Sequence, residues 1–215
     1  MKITGAIFDM DGTLTDSMFI WRDIGKRYLL SCGIRPSEDL REETKKLTVF
    51  ETADYFRKKY GLKKTNEEIY AGVDALLWPM YRDEVKPKEG IFLLLDRLKE
   101  RGVPMVVATA TDRHLVEMVL EKNGLLVYFS EIFTTGGIGS GKENPLIFET
   151  ALNCLGTPKP ETIVFEDTLY AIVTAKRAGF PVAGIFDESQ DHLQEEIKAV
   201  SDFYITDYRK DYLLF

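Results

Sequence analysis

The hydrophobic and polar positions of this chain change period along its length. Residues 2–8, KITGAIF, are largely apolar and β-branched and predict a strand that ends at Asp9. From about Asp16 to Arg82 the apolar residues instead recur every three or four positions. They do so in WRDIGKRYLLSCG, SEDLREETKKL, FETADYFRKKYG and TNEEIYAGVDALLWPMYRD. Gly33, Gly61 and Pro79 punctuate these runs, and Ser37 and Thr65 stand where helix N-caps belong. Four helices in a row are predicted, with no strand between them.

After Pro87 strand and helix patterns alternate. EGIFLLLDRLKERG, DRHLVEMVLEKNG, NPLIFETALNCLG, TLYAIVTAKRAG and DHLQEEIKAV read as helices, with Asp112 as an N-cap and Pro145 at a first helical position. PMVVAT, SEIFTT, ETIVFE, FPVAGIF and DFYIT read as strands. Near-continuous apolar strands separated by helices imply a parallel sheet covered on both faces. The expected architecture is α/β: a doubly wound, Rossmann-like core from residues 1–15 and 84–215, with a four-helix cap domain, residues 16–83, inserted after the first strand.

At 215 residues the chain is long enough for that core and the smaller unit. Its net charge of −7 argues against nucleic-acid binding, which needs a basic face to displace counterions. Cys32 and Cys154 fit no metal or redox spacing, and His114 and His192 fit no metal-binding pattern. No apolar run reaches the ~18 residues of a membrane span and no signal-peptide pattern opens the sequence. A cytoplasmic, monomeric protein without membrane or nucleic-acid partners is the expectation.

In a doubly wound sheet, ligands bind beyond the carboxyl ends of the strands. The first strand ends in Asp9-Met10-Asp11 and the next core strand in Ala108-Thr109-Ala110-Thr111. After the third comes Gly136-Gly137-Ile138-Gly139-Ser140-Gly141-Lys142, and the fourth ends in Glu166-Asp167-Thr168. Four carboxylates cannot crowd on one edge unless a cation joins them, and all-oxygen donors suit a hard ion such as Mg²⁺. One lysine and a metal facing a carboxylate also make a site for a phosphoryl group. An aspartate can attack phosphorus, and a second one nearby can protonate the leaving oxygen.

FDMDGTLTDS, ATAT, GSGKENP and VFEDT, in that order on those strand ends, resemble the four motifs of the haloacid dehalogenase (HAD) superfamily. The helical insertion after the first motif resembles its β-phosphoglucomutase-like phosphatase branch. The resemblance covers the whole chain and implies a Mg²⁺-dependent phosphoric monoester hydrolase acting on a small phosphorylated metabolite through an aspartyl-phosphate. It implies Asp9 as nucleophile and Asp11 as general acid and base. Thr109 and the Ala110 N–H would hold phosphate oxygens, and Lys142 would bridge phosphate and Asp9. Asp9, the Asp11 carbonyl and Asp167, with Glu166 alongside, would ligate the metal. Gly12 would permit, and Thr13 hydrogen-bond, the turn that swings the cap.

Trp21 and Lys45 are candidate substrate contacts in the insertion. A sugar-phosphate mutase of this branch has histidine where Trp21 stands, and an arginine in a glycine-containing loop where this chain has LTVFET. A mutase is therefore the alternative reading, and a phosphatase of a sugar phosphate or similar metabolite the leading one. Glu143, Leu146 and Ala171 also replace common motif residues, with Lys142 and Asp167 kept.

Overall fold

The computed structural model of the protein describes residues 1–44 and 49–215. Lys45, Lys46 and Thr48 lie outside the described residues, and the side chain of Phe50 is also not described. The strands are β1 Gly5–Phe8, β2 Thr15–Asp16, β3 Lys86–Pro87, β4 Met105–Thr109, β5 Ile132–Thr134, β6 Thr162–Glu166, β7 Val182–Ile185 and β8 Phe203–Ile205. The helices are α1 Met18–Ser31, α2 Leu40–Thr44, α3 Val49–Tyr60, α4 Asn66–Asp83, α5 Ile91–Glu100, α6 Arg113–Lys122, α7 Thr135–Ile138, α8 Leu146–Leu155, α9 Leu169–Arg177, α10 Gln194–Val200 and α11 Tyr208–Asp211. They fall into two compact units, Met1–Ser17 with Val85–Phe215, and Met18–Glu84.

The first unit is built on a six-stranded sheet in the order β5-β4-β1-β6-β7-β8, with every pairing parallel. Central β1 lies between β4 and β6, with Phe8 opposite both Val107 and Phe165. The chain runs outward from β1 in both directions, so the topological switch falls beside β1. That is where such folds leave a crevice. On one face Ile7, Val106, Ala108, Val164 and Val182 pack with Ile147, Phe148, Ala171, Ile172 and Ile197 of α8, α9 and α10. On the other, Phe8 stacks on Phe165 with ring centroids 4.3 Å apart, and Phe215 meets Phe165 edge-on at 5.2 Å. This is the doubly wound core that the alternating pattern implies.

Boundaries differ where pairing rather than composition decides them. β1 starts at Gly5 rather than Lys2, because the neighbouring strand begins at Thr162, opposite Gly5. The β2–β3 ribbon was not expected. Thr15 opposes Pro87 and Asp16 opposes Lys86, antiparallel, where the chain leaves the first unit and returns to it. A two-residue strand carries no alternation for a pattern to reveal. The Gly-rich stretch after β5 is also not wholly loop. Gly136 to Ile138 belong to α7, with Thr134 Oγ1 accepting from the Gly137 N–H at 3.1 Å.

The second unit consists of α1 to α4. Thr65 caps α4 as expected, in a reciprocal capping box with Glu68. Ser37 does not cap a helix; its hydroxyl meets the Tyr60 hydroxyl at 2.9 Å and the Glu43 carboxylate at 3.3 Å. Pro79 does not end a helix either. It lies inside α4, and buried Leu77, Met80 and Tyr81 on both sides of it keep the last turn helical although proline removes one backbone donor. Tyr28, Leu29, Leu40, Ala53, Phe56, Leu62 and Ile69 form the core of this unit. Phe56 and Tyr55 thus serve packing, whereas Trp78 is 39% exposed.

Candidate active site

Asp9, Asp11, Thr109, Ala110, Lys142, Glu166 and Asp167 lie in the first unit, at the carboxyl ends of β1, β4 and β6 and in the loop before α8. β1 carries its ladder one residue past Phe8, since the Asp9 N–H donates to the Phe165 carbonyl at 2.9 Å. This anchors the Asp9 side chain beside the end of β6. Gly12 then takes φ of +82°, which only glycine adopts cheaply, and its N–H reaches the Thr15 carbonyl at 2.9 Å. The hydroxyl that ties this turn belongs to Thr15, which donates to the Met10 carbonyl at 3.1 Å. Thr13 hydrogen-bonds the turn through its backbone. Its Oγ1 is buried without a partner, and only its backbone takes part, with the N–H donating to Met10 and the carbonyl accepting from Tyr208.

Lys142 is 3% exposed, and its ammonium donates to both Asp9 Oδ1 and Glu166 Oε2, the latter at 2.7 Å. Burial alone would lower its pKa, but the Asp9 and Glu166 carboxylates outweigh that and raise it, so the lysine stays charged. Glu166 is committed at both oxygens: Oε1 accepts from the Thr168 N–H at 3.1 Å and from its hydroxyl at 2.6 Å. Burial acts against its charge, yet Lys142 and Thr168 hold its pKa below the usual value.

Asp167 contrasts with its neighbour. Both of its oxygens are buried, and neither has a hydrogen-bond partner. Burial, and then the Glu166 and Asp9 charges, push its carboxyl well above the usual carboxylate range. Asp9 is also raised, to about 8, by burial first and Glu166 second, against the pull of Lys142. Asp9, Glu166 and Asp167 each bring an oxygen within 4.8 Å of the others. Three buried carboxylates around one ammonium leave excess negative charge, which is costly without a further cation. The orphaned Asp167 oxygens and the all-oxygen donor set therefore fit a hard divalent ion.

Asp11 is held by hydroxyls. Its Oδ1 accepts from Ser17 Oγ and its Oδ2 from Thr111 Oγ1, both at 2.6 Å. Thr109 is buried, and its Oγ1 accepts from the Thr111 N–H at 3.1 Å, while Ala110 beyond it is exposed. Sequence reasoning missed Thr111 and Ser17, although ATAT and TDS contain them. A hydroxyl signals nothing until its acceptor is known. Trp21, in the second unit, donates its indole N–H to the Tyr81 hydroxyl at 2.9 Å. Lys45 lies outside the described residues.

The family model for haloacid dehalogenase-like hydrolases matches residues 6–185. The validoxylamine A 7'-phosphate phosphatase of Streptomyces hygroscopicus subsp. limoneus is 30% identical over 182 residues, 84% of each chain. The phosphorylated carbohydrates phosphatase of Thermotoga maritima is 25% identical, over 80% of each. Among solved structures, a β-phosphoglucomutase homologue from Thermotoga maritima superposes with a TM-score of 0.81 at 22% identity, over 100% of this chain and 97% of that one. The chain therefore belongs to the haloacid dehalogenase-like hydrolases, with the fold of the β-phosphoglucomutase-like branch. Within that family it is a phosphoric monoester hydrolase. No helix among the described residues is long and apolar enough to cross a membrane.

Proposed function

We propose that the protein is a Mg²⁺-dependent phosphatase of a small phosphorylated metabolite, a sugar phosphate or similar, that works through an aspartyl-phosphate on Asp9. The observation that carries this reading is the Lys142 ammonium shared by Asp9 and Glu166, beside an Asp167 carboxylate whose oxygens have no partner. Asp9, Asp167 and the Asp11 carbonyl would hold Mg²⁺, with Glu166 alongside, and the ion would offset the charge of an incoming phosphate.

In this mechanism an Asp9 oxygen attacks phosphorus as the ester P–O bond breaks. The departing alkoxide takes a proton from Asp11, which the Ser17 and Thr111 hydroxyls hold in place. Asp11, now a carboxylate, then removes a proton from water, which attacks the phosphorus of the aspartyl-phosphate and releases inorganic phosphate and Asp9. Lys142 orients Asp9 and meets the charge gathering on the phosphoryl oxygens. The Thr109 hydroxyl, already fixed as an acceptor, and the Ala110 N–H bind those oxygens. Substrate contacts fall to the helical unit acting as a cap, with Lys45 as the cationic candidate. Trp21 contributes through its ring, because its N–H is engaged by Tyr81.

A mutase reading has less support. It needs two cationic anchors for a bisphosphate, and this chain has tryptophan in place of the mutase histidine. The two cysteines are both free, which suits a reducing cytoplasm, and we take the working form to be a monomer. The test is phosphate release across sugar phosphates, nucleotides and glycolate-type phosphoesters, with and without Mg²⁺. Mg²⁺-dependent release from a subset is expected. Transfer of phosphate between positions of one sugar, with no release, would overturn the phosphatase reading.

A further inference from the structure

Lys88 and Asp187 form a second buried charge pair in the first unit, absent from all four motifs. Lys88 Nζ lies 2.8 Å from Asp187 Oδ2, with side chains 15% and 7% exposed, and donates to the Phe186 carbonyl at 2.7 Å. The Lys88 N–H donates to the Leu14 carbonyl at 2.9 Å, which ties it to the loop that carries Asp9 and Asp11. Asp187 stands two residues beyond β7, the strand paired with β6, and β6 ends at Glu166. Its other oxygen accepts from the Ser189 N–H at 2.9 Å. Both partners therefore hang from the segments that position the carboxylate cluster. Asp187 is also among the charges acting on Asp167, after burial, Glu166 and Asp9.

A buried carboxylate and its ammonium cancel at a distance, whereas either one alone projects a full charge through a weakly screening interior. We propose that Lys88 and Asp187 are a compensating pair that sets how strongly the Asp9–Glu166–Asp167 cluster attracts a divalent cation. Lys88 keeps Asp187 from acting as a fourth carboxylate at this edge of the sheet. The pair touches no reacting atom and works through the cluster, so both are positioning residues. The inference rests on the metal reading above and assigns this chain's Lys88 and Asp187 a part in it.

The two halves of the pair have opposite expected effects, which a purely structural role would not produce. Lys88→Met unmasks the Asp187 charge and should tighten Mg²⁺ binding. Asp187→Asn keeps the oxygen that caps Ser189, leaves Lys88 uncompensated and should weaken Mg²⁺ binding. Each shift should be about three- to tenfold, as for one charge acting on a divalent ion through partial screening. The double variant should return close to wild type, and Lys88→Arg should match wild type.

The measurement is calorimetric titration of the metal-free proteins with Mg²⁺ alone, without substrate. Opposite shifts that cancel in the double variant support the pair. Shifts of one sign, or none, overturn it. If Lys88→Met does not fold, an unchanged Mg²⁺ affinity in Asp187→Asn overturns it equally. A wild-type chain that takes up no Mg²⁺ would instead refute the metal reading, and this inference with it.

Discussion

Replacing Asp167 with asparagine removes a carboxylate that the metal-free fold holds at a disadvantage. Its oxygens are buried and unpartnered, and its carboxyl lies well above the usual range because of burial and then the Glu166 and Asp9 charges. Asp9 rises from 3.8 to about 8, by burial and then Glu166. A carboxyl raised in the folded state contributes stability that is full below its unfolded value and is lost as pH climbs through the folded one. For these groups the loss begins near pH 4, and for Asp9 it runs to about pH 8. Glu166 has the opposite sign. Its lowered pKa gives stability above the ordinary carboxylate value, lost only on acidification below this window.

Taken alone, the Asp9 displacement is on the order of 5 kcal/mol. Relaxation around the charge reduces the expected net loss to about 1–3 kcal/mol between pH 5 and 8. Trp21 and Trp78 both sit in the helical unit, so fluorescence would miss the relevant transition. Native-state hydrogen exchange at β1 and β6 amides follows it directly. In EDTA, protection of the Ile7 and Val164 amides, corrected for intrinsic exchange, should fall roughly ten- to hundredfold over that range. Asp167→Asn should lessen the dependence by the share of Asp167 while that of Asp9 remains, and Mg²⁺ should restore protection at pH 8 in wild type but not in the variant. Equal or greater protection at pH 8 in EDTA, with the same profile in the variant, would refute the reasoning.

Lys142→Met leaves two buried carboxylates without their cation and should cost about 3–5 kcal/mol in urea unfolding. In the same variant, phosphate release should fall at least about a hundredfold. Thr111→Val removes a hydroxyl that donates to Asp11 and should lower kcat by about tenfold. The loss should be larger for an alkyl phosphate than for an aryl phosphate, whose leaving group needs less help from a proton. Phe215→Ala empties the ring contacts with Phe165 and Phe203, and should cost about 3 kcal/mol in thermal unfolding with KM unchanged.

The strand ends of this chain could be read from its sequence because burial and period mark them. GAIF, MVVAT and TIVFE are apolar runs that stop at polar residues, and a parallel sheet puts those stops on one edge. The convergence of Asp9, Glu166 and Asp167 followed from that topology, whereas Lys142 reaches them from the loop before α8. The hydroxyl partners of Asp11 did not. Ser17 is six residues away and Thr111 a hundred, and neither differs in composition from a threonine that merely ends a strand. Lys88 and Asp187 were hidden for a related reason, since a lysine and an aspartate read as surface until the fold brings them together and buries them. The sequence also does not tell which atom of a motif residue acts: Thr13 bonds the turn through its N–H, and the Thr15 hydroxyl ties it as well.

The most direct test of the central claim is where phosphorus goes during turnover. Enzyme mixed with a ³²P-labelled sugar phosphate and Mg²⁺, quenched in acid within milliseconds and digested, should carry label on the peptide containing Asp9. That label should be discharged by neutral hydroxylamine, as an acyl phosphate is. The Asp9→Asn protein should fold, carry no label and release no phosphate. Phosphate release from Asp9→Asn at the wild-type rate, or label on a peptide without Asp9, would contradict the account.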